Sequence, residues 1–266
     1  MRARIAGTEL SYDVRGAGPA LLFLHAFPLN LRMWDAQAEA LASSHTLVRF
    51  DDRGFGGSPP GDAMLSMERI ADDAAALLDH LGISKALVAG CSMGGYAAFA
   101  MVRRHADRIR ALVLQDTRAG ADSEEARTNR ALLAEKVLKQ GAEAAAEAFL
   151  PRLVGETTHK ERAQVVAWLR ETILATPARG IADALAGLGA RADSNPMLRE
   201  IRVPTLIVCG TEDVLTPPAD SEAMQRAIPG SCLEIIPKAG HLANLENPEA
   251  YNAVLRNFLS LVARPA

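Results

Sequence analysis

Cysteine is scarce in this chain. Cys91, Cys209 and Cys232 are scattered and lack the paired spacing of a metal clip. That excludes a disulfide framework and a zinc knuckle. Basic runs are missing too: no Lys/Arg cluster exceeds a pair such as Arg103-Arg104, and the formal net charge is -3. A phosphate backbone needs a positive face, so nucleic acid is not an expected partner. No apolar run approaches the roughly 20 residues that cross a bilayer. The opening residues, MRARIAGTELSYDVRG, lack the apolar core of a secretory signal. No ligand cluster points to a metal, and no motif asks for a cofactor. These absences lead to the expectation of a reduced, cytoplasmic, soluble protein with no membrane partner. They leave the oligomeric state open.

What is present suits one full core. The 266 residues are 49% hydrophobic and 23% charged, enough to bury most apolar surface without metals or disulfides. Continuous apolar runs of strand length recur: ALLFLHA (20–26), HTLVRFD (45–51), KALVAG (85–90), RALVLQD (110–116), PTLIVCG (204–210) and SCLEIIP (231–237). Such runs suit strands buried on both faces, as in parallel sheets. A short hairpin is expected before them, over ARIAG and ELSYDVRG. Helical stretches alternate with the strands. Leu65 to Leu81 carries an apolar stripe with Ser66 as N-cap and Gly82 as terminator; Tyr96 to His105 and Pro248 to Val262 also read as helices. The pattern predicts an α/β fold, a mostly parallel central sheet with helices on both faces.

One section breaks the alternation. From Arg118 to about Pro196 there are helical pieces but no strand, which predicts a helical cap over 118–196 inserted into a core of 1–117 and 197–266. The cap run mixes Leu132, Leu133, Val137 and Leu138 with Glu124, Glu125, Lys136 and Lys139. An apolar face turned toward the functional site is expected of it.

The sharpest local signal is GCSMGG, residues 90–95, at a strand-to-helix join. Ligands of parallel sheets bind at the carboxyl ends of strands. A tight turn there exposes Ser92, with small neighbours so that backbones can approach, and turns the N–H of Met93 into the site at a helix N-terminus. A serine needs a base. Of six histidines, His241 in KAGHLANLENP lies between the last strand and the last helix, on the same edge as Ser92; His45 opens a strand, His80 and His105 close helices and read as surface residues, and His159 lies in the insertion. The base needs a carboxylate. Asp213, directly after a buried strand, is preferred; Asp116, which ends VLQD, is also eligible, and Glu212 is a weaker neighbour. The oxyanion of an acyl-transfer intermediate needs N–H donors, and Phe27, leaving a strand in LHAFP, is the natural second donor beside Met93. His25 reads as a loop support.

Four motifs appear in order: His25-Ala26-Phe27-Pro28, Asp52-Arg53-Gly54-Phe55-Gly56-Gly57-Ser58, Gly90-Cys91-Ser92-Met93-Gly94-Gly95, and Asp213 followed by Gly240-His241. With them the chain resembles an α/β-hydrolase-fold enzyme over essentially its whole length. The resemblance implies Ser92 as nucleophile, Asp213 as acid, His241 as base and the insertion as a cap over the site. It departs at Ala26, where many members have glycine. Asp52 and Arg53 are scaffold in that family. HAFPLNLRMWDAQ and GCSMGG are similar to the 3-oxoadipate enol-lactonase group and related small esterases, which implies a small-molecule ester or lactone substrate. Perhydrolases and carbon–carbon bond hydrolases share the same triad, and a binding protein on the same scaffold is the reading from outside enzymology.

Substrate-facing candidates are less sharply marked. Trp34 follows the oxyanion loop and is a candidate wall, with core packing the equal alternative. Trp168 in the cap suits a planar substrate. Arg118, with Arg127 and Arg130, is placed to meet a substrate carboxylate, against the plainer reading of solvated arginines. Cys91 and Cys209 read as buried fillers.

Overall fold

The computed structural model describes residues 1–263. Eight strands form one sheet: β1 (Arg2–Ile5), β2 (Thr8–Arg15), β3 (Ala20–Leu24), β4 (Thr46–Phe50), β5 (Ala86–Cys91), β6 (Ile109–Gln115), β7 (Thr205–Gly210) and β8 (Cys232–Ile236). Their spatial order is β1-β2-β4-β3-β5-β6-β7-β8. β2 pairs antiparallel with β1 and β4, and every other pairing is parallel. The fully buried β5 and β7 are the apolar runs of the sequence, and β8, at the edge, is largely exposed. Leu24 pairs with Gly90, Cys91 with Gln115 and Gly210 with Ile236. The C-termini of the five strands β3, β5, β6, β7 and β8 therefore end on one edge of the sheet.

The helices are α1 (Asp35–Leu41), α2 (Met67–His80), α3 (Met93–Arg104), α4 (Glu124–Gln140), α5 (Glu143–Leu153), α6 (Glu156–Glu161), α7 (Ala163–Leu174), α8 (Ala178–Ala190), α9 (Pro218–Ala227), α10 (Ala243–Glu246) and α11 (Pro248–Val262). Ser66 caps α2 by accepting the N–H of Arg69 at 3.1 Å, and Gly82 follows it at φ +68°, a value that suits glycine. Helices α2 and α3 pack together, and α1 and α11 form a second pair.

Three differences from the sequence reading have physical causes. Helix α3 starts at Met93, not Tyr96, because Gly94 and Gly95 are poor helix formers in isolation but are held by packing. Helices α1, α9 and α10 are not legible as periodic stripes: α1 and α10 are short, and α9 buries only Ser221 and Met224. Helix α4 does not turn its leucines toward the site. Leu132 and Leu138 are exposed, while Val137 is buried and Leu133 half-buried, and this stripe packs against α8.

Helices α4 to α8 all lie between β6 and β7. Polar bonds tie them to the sheet edge. Glu246 accepts the N–H of Gly155 at 2.7 Å, and Glu212 accepts the N–H of Thr157 at 2.8 Å. The backbones of Gly54 and Gly180 meet so closely that a Cβ on Gly180 would stand 2.2 Å from the carbonyl oxygen of Gly54. Among the described residues, no helix is long and apolar enough to cross a membrane.

Candidate active site

Ser92 stands between the end of β5 and the start of α3 with φ 52° and ψ -109°. Non-glycine residues avoid this region at a cost of about 1–3 kcal/mol. Packing on both sides enforces it. A Cβ on Gly90 would lie 2.2 Å from the carbonyl oxygen of Gly94, and one on Gly94 would lie 2.2 Å from that of Leu24. The Ser92 backbone is pinned further: its N–H donates to Gln115 O at 3.0 Å, and Thr117 Oγ1 donates to its carbonyl at 3.0 Å. The hydroxyl is left at the sheet edge, one residue before a helix N-terminus.

The structure brings Ser92, His241 and Asp213 together. His241 Nε2 is 2.8 Å from Ser92 Oγ, and His241 Nδ1 is 2.9 Å from Asp213 Oδ2. Asp213 and His241 are both buried. Asp213 Oδ1 accepts the N–H groups of Leu215 at 2.8 Å and Thr216 at 3.0 Å, and Oδ2 accepts the Thr216 hydroxyl at 2.7 Å. Burial alone would push this carboxyl up, but His241 and the Thr216 donors hold it below its ordinary value. Burial likewise pulls His241 down, yet the charge and hydrogen bond of Asp213, with Asp116 and Glu246 nearby, leave it raised above 6.5.

Asp116 does not reach the imidazole. It sits at φ 43°; Oδ1 accepts the N–H of Gly210 at 2.9 Å, and Oδ2 accepts Ala243 N–H and Gln115 Nε2, each at 3.0 Å. It staples β6 to β7 and to the loop that carries His241. Burial and the charge of Asp213 push it up to about 7. Glu212 is turned toward Thr157.

The N–H groups of Phe27 and Met93 have no acceptor among the described residues. Met93 opens α3, so its N–H is one of the unsatisfied donors at the positive end of the helix. His25 supports the Phe27 loop. Its Nδ1 is 3.0 Å from Ala26 O, and its Nε2 accepts Asp52 N–H at 3.0 Å. Arg53 pairs in a fork with Asp73, at 2.7 and 2.6 Å. Neither Asp52 nor Arg53 lines the cavity at Ser92.

That cavity measures about 90 Å³. Ser92, His241 and Phe27 form its floor, and Phe149, Leu153 and Leu188 its roof. The Phe149 ring meets the Phe27 ring edge-on at 5.2 Å, so the roof rests on the oxyanion loop. Arg118 and Arg130 lie in the wall. Arg127 is exposed on α4 and outside it.

Both tryptophans are corrections to the sequence reading. Trp34 is fully buried between Phe23, at 4.8 Å, and Tyr251, at 6.3 Å. A large apolar ring one helical turn past the oxyanion loop gains more from the core than from a wetted wall. Trp168 is half-buried on α7, which packs on α5 and α6, and it does not line the cavity. Sequence reasoning missed Thr216, Tyr96 and the roof residues. It also missed Glu246, which accepts N–H groups on both sides of His241: Gly240 at 2.9 Å and Leu242 at 3.0 Å. A hydroxyl three residues after Asp213, and an acid five after His241, were the available signals.

The profile of the alpha/beta hydrolase fold matches residues 19–248. The chain is 30% identical over 244 residues to 3-oxoadipate enol-lactonase 2 of Acinetobacter baylyi, covering 90% of each chain. Among solved structures, a malate-bound thermophilic esterase from Thermogutta terrifontis superposes with a TM-score of 0.97 at 40% identity, over 99% of this chain and 100% of that one. The enol-lactonase from Burkholderia xenovorans LB400 superposes at 0.91 and 31% identity, over 98% and 100%. A strained serine at the end of a central parallel strand, a sheet in this order and matches along nearly the whole length agree: the chain belongs to the α/β-hydrolase fold family.

Proposed function

We propose that this protein hydrolyses carboxylic ester or lactone bonds of small molecules through an acyl-enzyme on Ser92. The single observation that carries the reading is the continuous chain Ser92 Oγ–His241 Nε2 at 2.8 Å and His241 Nδ1–Asp213 Oδ2 at 2.9 Å, beneath a small cavity. The similarity to esterases and enol-lactonases over almost the full chain supports the bond type.

His241 Nε2 takes the hydroxyl proton as Ser92 Oγ attacks the carbonyl carbon. Nδ1–H points to Asp213, which stabilises the imidazolium. The N–H groups of Phe27 and Met93 receive the oxyanion. Collapse expels the alkoxide, which takes the proton back from His241. In a lactone the alkoxide stays tethered to the acyl group. Water then adds to the acyl-enzyme, losing a proton to His241, and the acid and the free serine are restored. The roof of Phe149, Leu153 and Leu188 limits the acyl group to a few carbons.

A fluorophosphonate should label Ser92 and no other serine. Ser92→Ala and His241→Ala should each lower kcat on an activated short-chain ester by about 10⁴-fold or more, and the double variant scarcely further. Labelling at Ser58, or turnover that survives Ser92→Ala, would overturn the reading.

A further inference from the structure

The cavity at Ser92 opens into a larger space. A groove of about 310 Å³ adjoins it, against about 90 Å³ for the cavity itself. Arg118, Arg130, Phe149 and Leu215 line both, so the two are continuous. Tyr96, Leu153 and Leu188 line the cavity alone, whereas Ala126 and Leu133 of α4 and Val214 of the β7–α9 loop line the groove alone. Val214 is 67% exposed, more than any other large apolar side chain among the described residues. The turn that carries it is fixed, because Leu215 and Thr216 both donate N–H groups to Asp213 Oδ1. With the half-buried Leu133, Phe149 and Leu215 it makes a concave apolar strip, the kind of surface that takes the body of a ligand. The charged groups of the groove are engaged. Asp122 accepts Arg130 Nε at 2.5 Å and lies 3.6 Å from Arg118 Nη2, and Arg152 Nη2 donates to Ala148 O at 3.4 Å.

Reaction geometry decides which half of an ester meets which space. The tetrahedral carbon carries Ser92 Oγ, the oxyanion, the alcohol oxygen and the acyl chain. The oxyanion turns to the N–H groups of Phe27 and Met93. The alcohol oxygen must lie within reach of His241 Nε2, which returns the proton to it. The His241 side of the site is also the Asp213 side, since the two bond at 2.9 Å. Val214 and Leu215 continue from Asp213 into the groove, so the alcohol leaves along it. The acyl chain takes the remaining direction, toward Tyr96 and Leu188. That end is closed: Leu188 is buried, and Arg191 lies 4.3 Å over the Tyr96 ring.

We propose that the groove is an alcohol site, and that through it the acyl-enzyme passes its acyl group to bulky apolar alcohols as well as to water. This rests on the ester hydrolase reading above. The step is acylation run backwards. The alcohol O–H gives its proton to His241 Nε2 as its oxygen attacks the acyl carbon. The bond from that carbon to Ser92 Oγ breaks, and Oγ takes the proton. A new ester forms and free serine is restored, with no other reactant. Water has no apolar body for the groove to hold, whereas burying each CH2 group of an alcohol favours binding by about fourfold. The esters that use the site best pair a short acyl chain with an alcohol larger than it.

The test acylates the protein with 4-nitrophenyl acetate in the presence of 2-phenylethanol or ethanol. Acetic acid and the new acetate ester are then measured by gas chromatography. 2-Phenylethyl acetate should form at a rate that saturates in the alcohol. Ethyl acetate should form about 10-fold more slowly or less at equal concentration, without saturating, because ethanol lacks the buried body. Val214→Ser and Leu133→Gln should each lower the ratio of the two ester yields by about 3- to 10-fold. Val214→Ser should fold, because the side chain it trims is exposed. Leu188→Ala should leave that ratio in place and widen the range of acyl chains hydrolysed. The ratio is blind to damage at Ser92 or His241, because both alcohols depend on them. Hydrolysis with no ester product, or equal yields from both alcohols, overturns the alcohol site while hydrolysis stands. A ratio unmoved by both groove variants would also overturn it. No turnover of any ester sinks the hydrolase reading, and the alcohol site falls with it.

Discussion

Asp213 Oδ2 lies 2.9 Å from His241 Nδ1. Asp116, also buried at this sheet edge, spends its oxygens on two backbone N–H groups and the Gln115 amide. The sequence left both acids eligible, and the two should now separate by mutation. Asp213→Asn offers an amide to Nδ1 and favours the wrong tautomer, so kcat should fall by about 10⁴-fold. Asp116→Asn should instead lower the melting temperature, because one backbone N–H loses its acceptor, with a much smaller loss in kcat. A larger kcat loss for Asp116→Asn would reverse the assignment.

The pH profile follows from His241. Its pKa is raised above 6.5 in the fold: burial opposes charge, but Asp213 and its neighbours prevail. Protonated imidazole cannot take the serine proton, so kcat/KM for a neutral ester should fall on the acid side with a midpoint above 6.5. Removing the Asp213 charge should move that midpoint down. The linkage has a definite sign. A raised histidine pKa contributes stability that is fully present below 6.5 and is lost as pH rises through the folded value. Replacing His241 by alanine should therefore cost more stability at pH 5 than at pH 9. A wild-type acid midpoint below 6.5 would contradict this electrostatic account.

Strain at Ser92 makes a third prediction. The residue sits at φ 52°, where only glycine is at ease. Ser92→Ala and Ser92→Gly both remove the hydroxyl, but only glycine relaxes the backbone. Ser92→Gly should be the more stable inactive protein, by about 1 kcal/mol, in matched urea denaturation. Equal stability would mean that the elbow carries no such strain.

Glu246 is the fourth test. It accepts the N–H groups on both sides of His241 and that of Gly155 from the insertion. Glu246→Ala leaves three buried donors unpaired, each worth roughly 1–3 kcal/mol. A large drop in melting temperature is expected, together with a fall in kcat. Glu246→Gln keeps one acceptor oxygen and should fold better, yet lower the acid midpoint of kcat/KM because a negative charge near His241 is gone. An unmoved midpoint would confine Glu246 to structure.

The apolar strand runs, the glycine-flanked Ser92, and the positions of Asp213 and His241 after strands were legible in the sequence. These signals are local: a buried parallel strand has a continuous apolar pattern, and a sharp elbow demands small neighbours within four residues. The Ser66 cap and the helix it starts were legible for the same reason. Other features depend on partners far along the chain. Whether Trp34 faces a cavity or the core turns on Phe23 and Tyr251. The exposure of Leu132 and Leu138 turns on which stripe of α4 meets α8, and the groove beside the cavity on how α4 and α5 stand against the loop after β7. Sequence by itself determined the sheet strands, the elbow serine, the loop histidine and a short choice of acids, because each is written in the residues around it. Only the tertiary structure decided which acid touches the imidazole and which side chains wall the cavity, because those depend on distances between elements that no local pattern encodes.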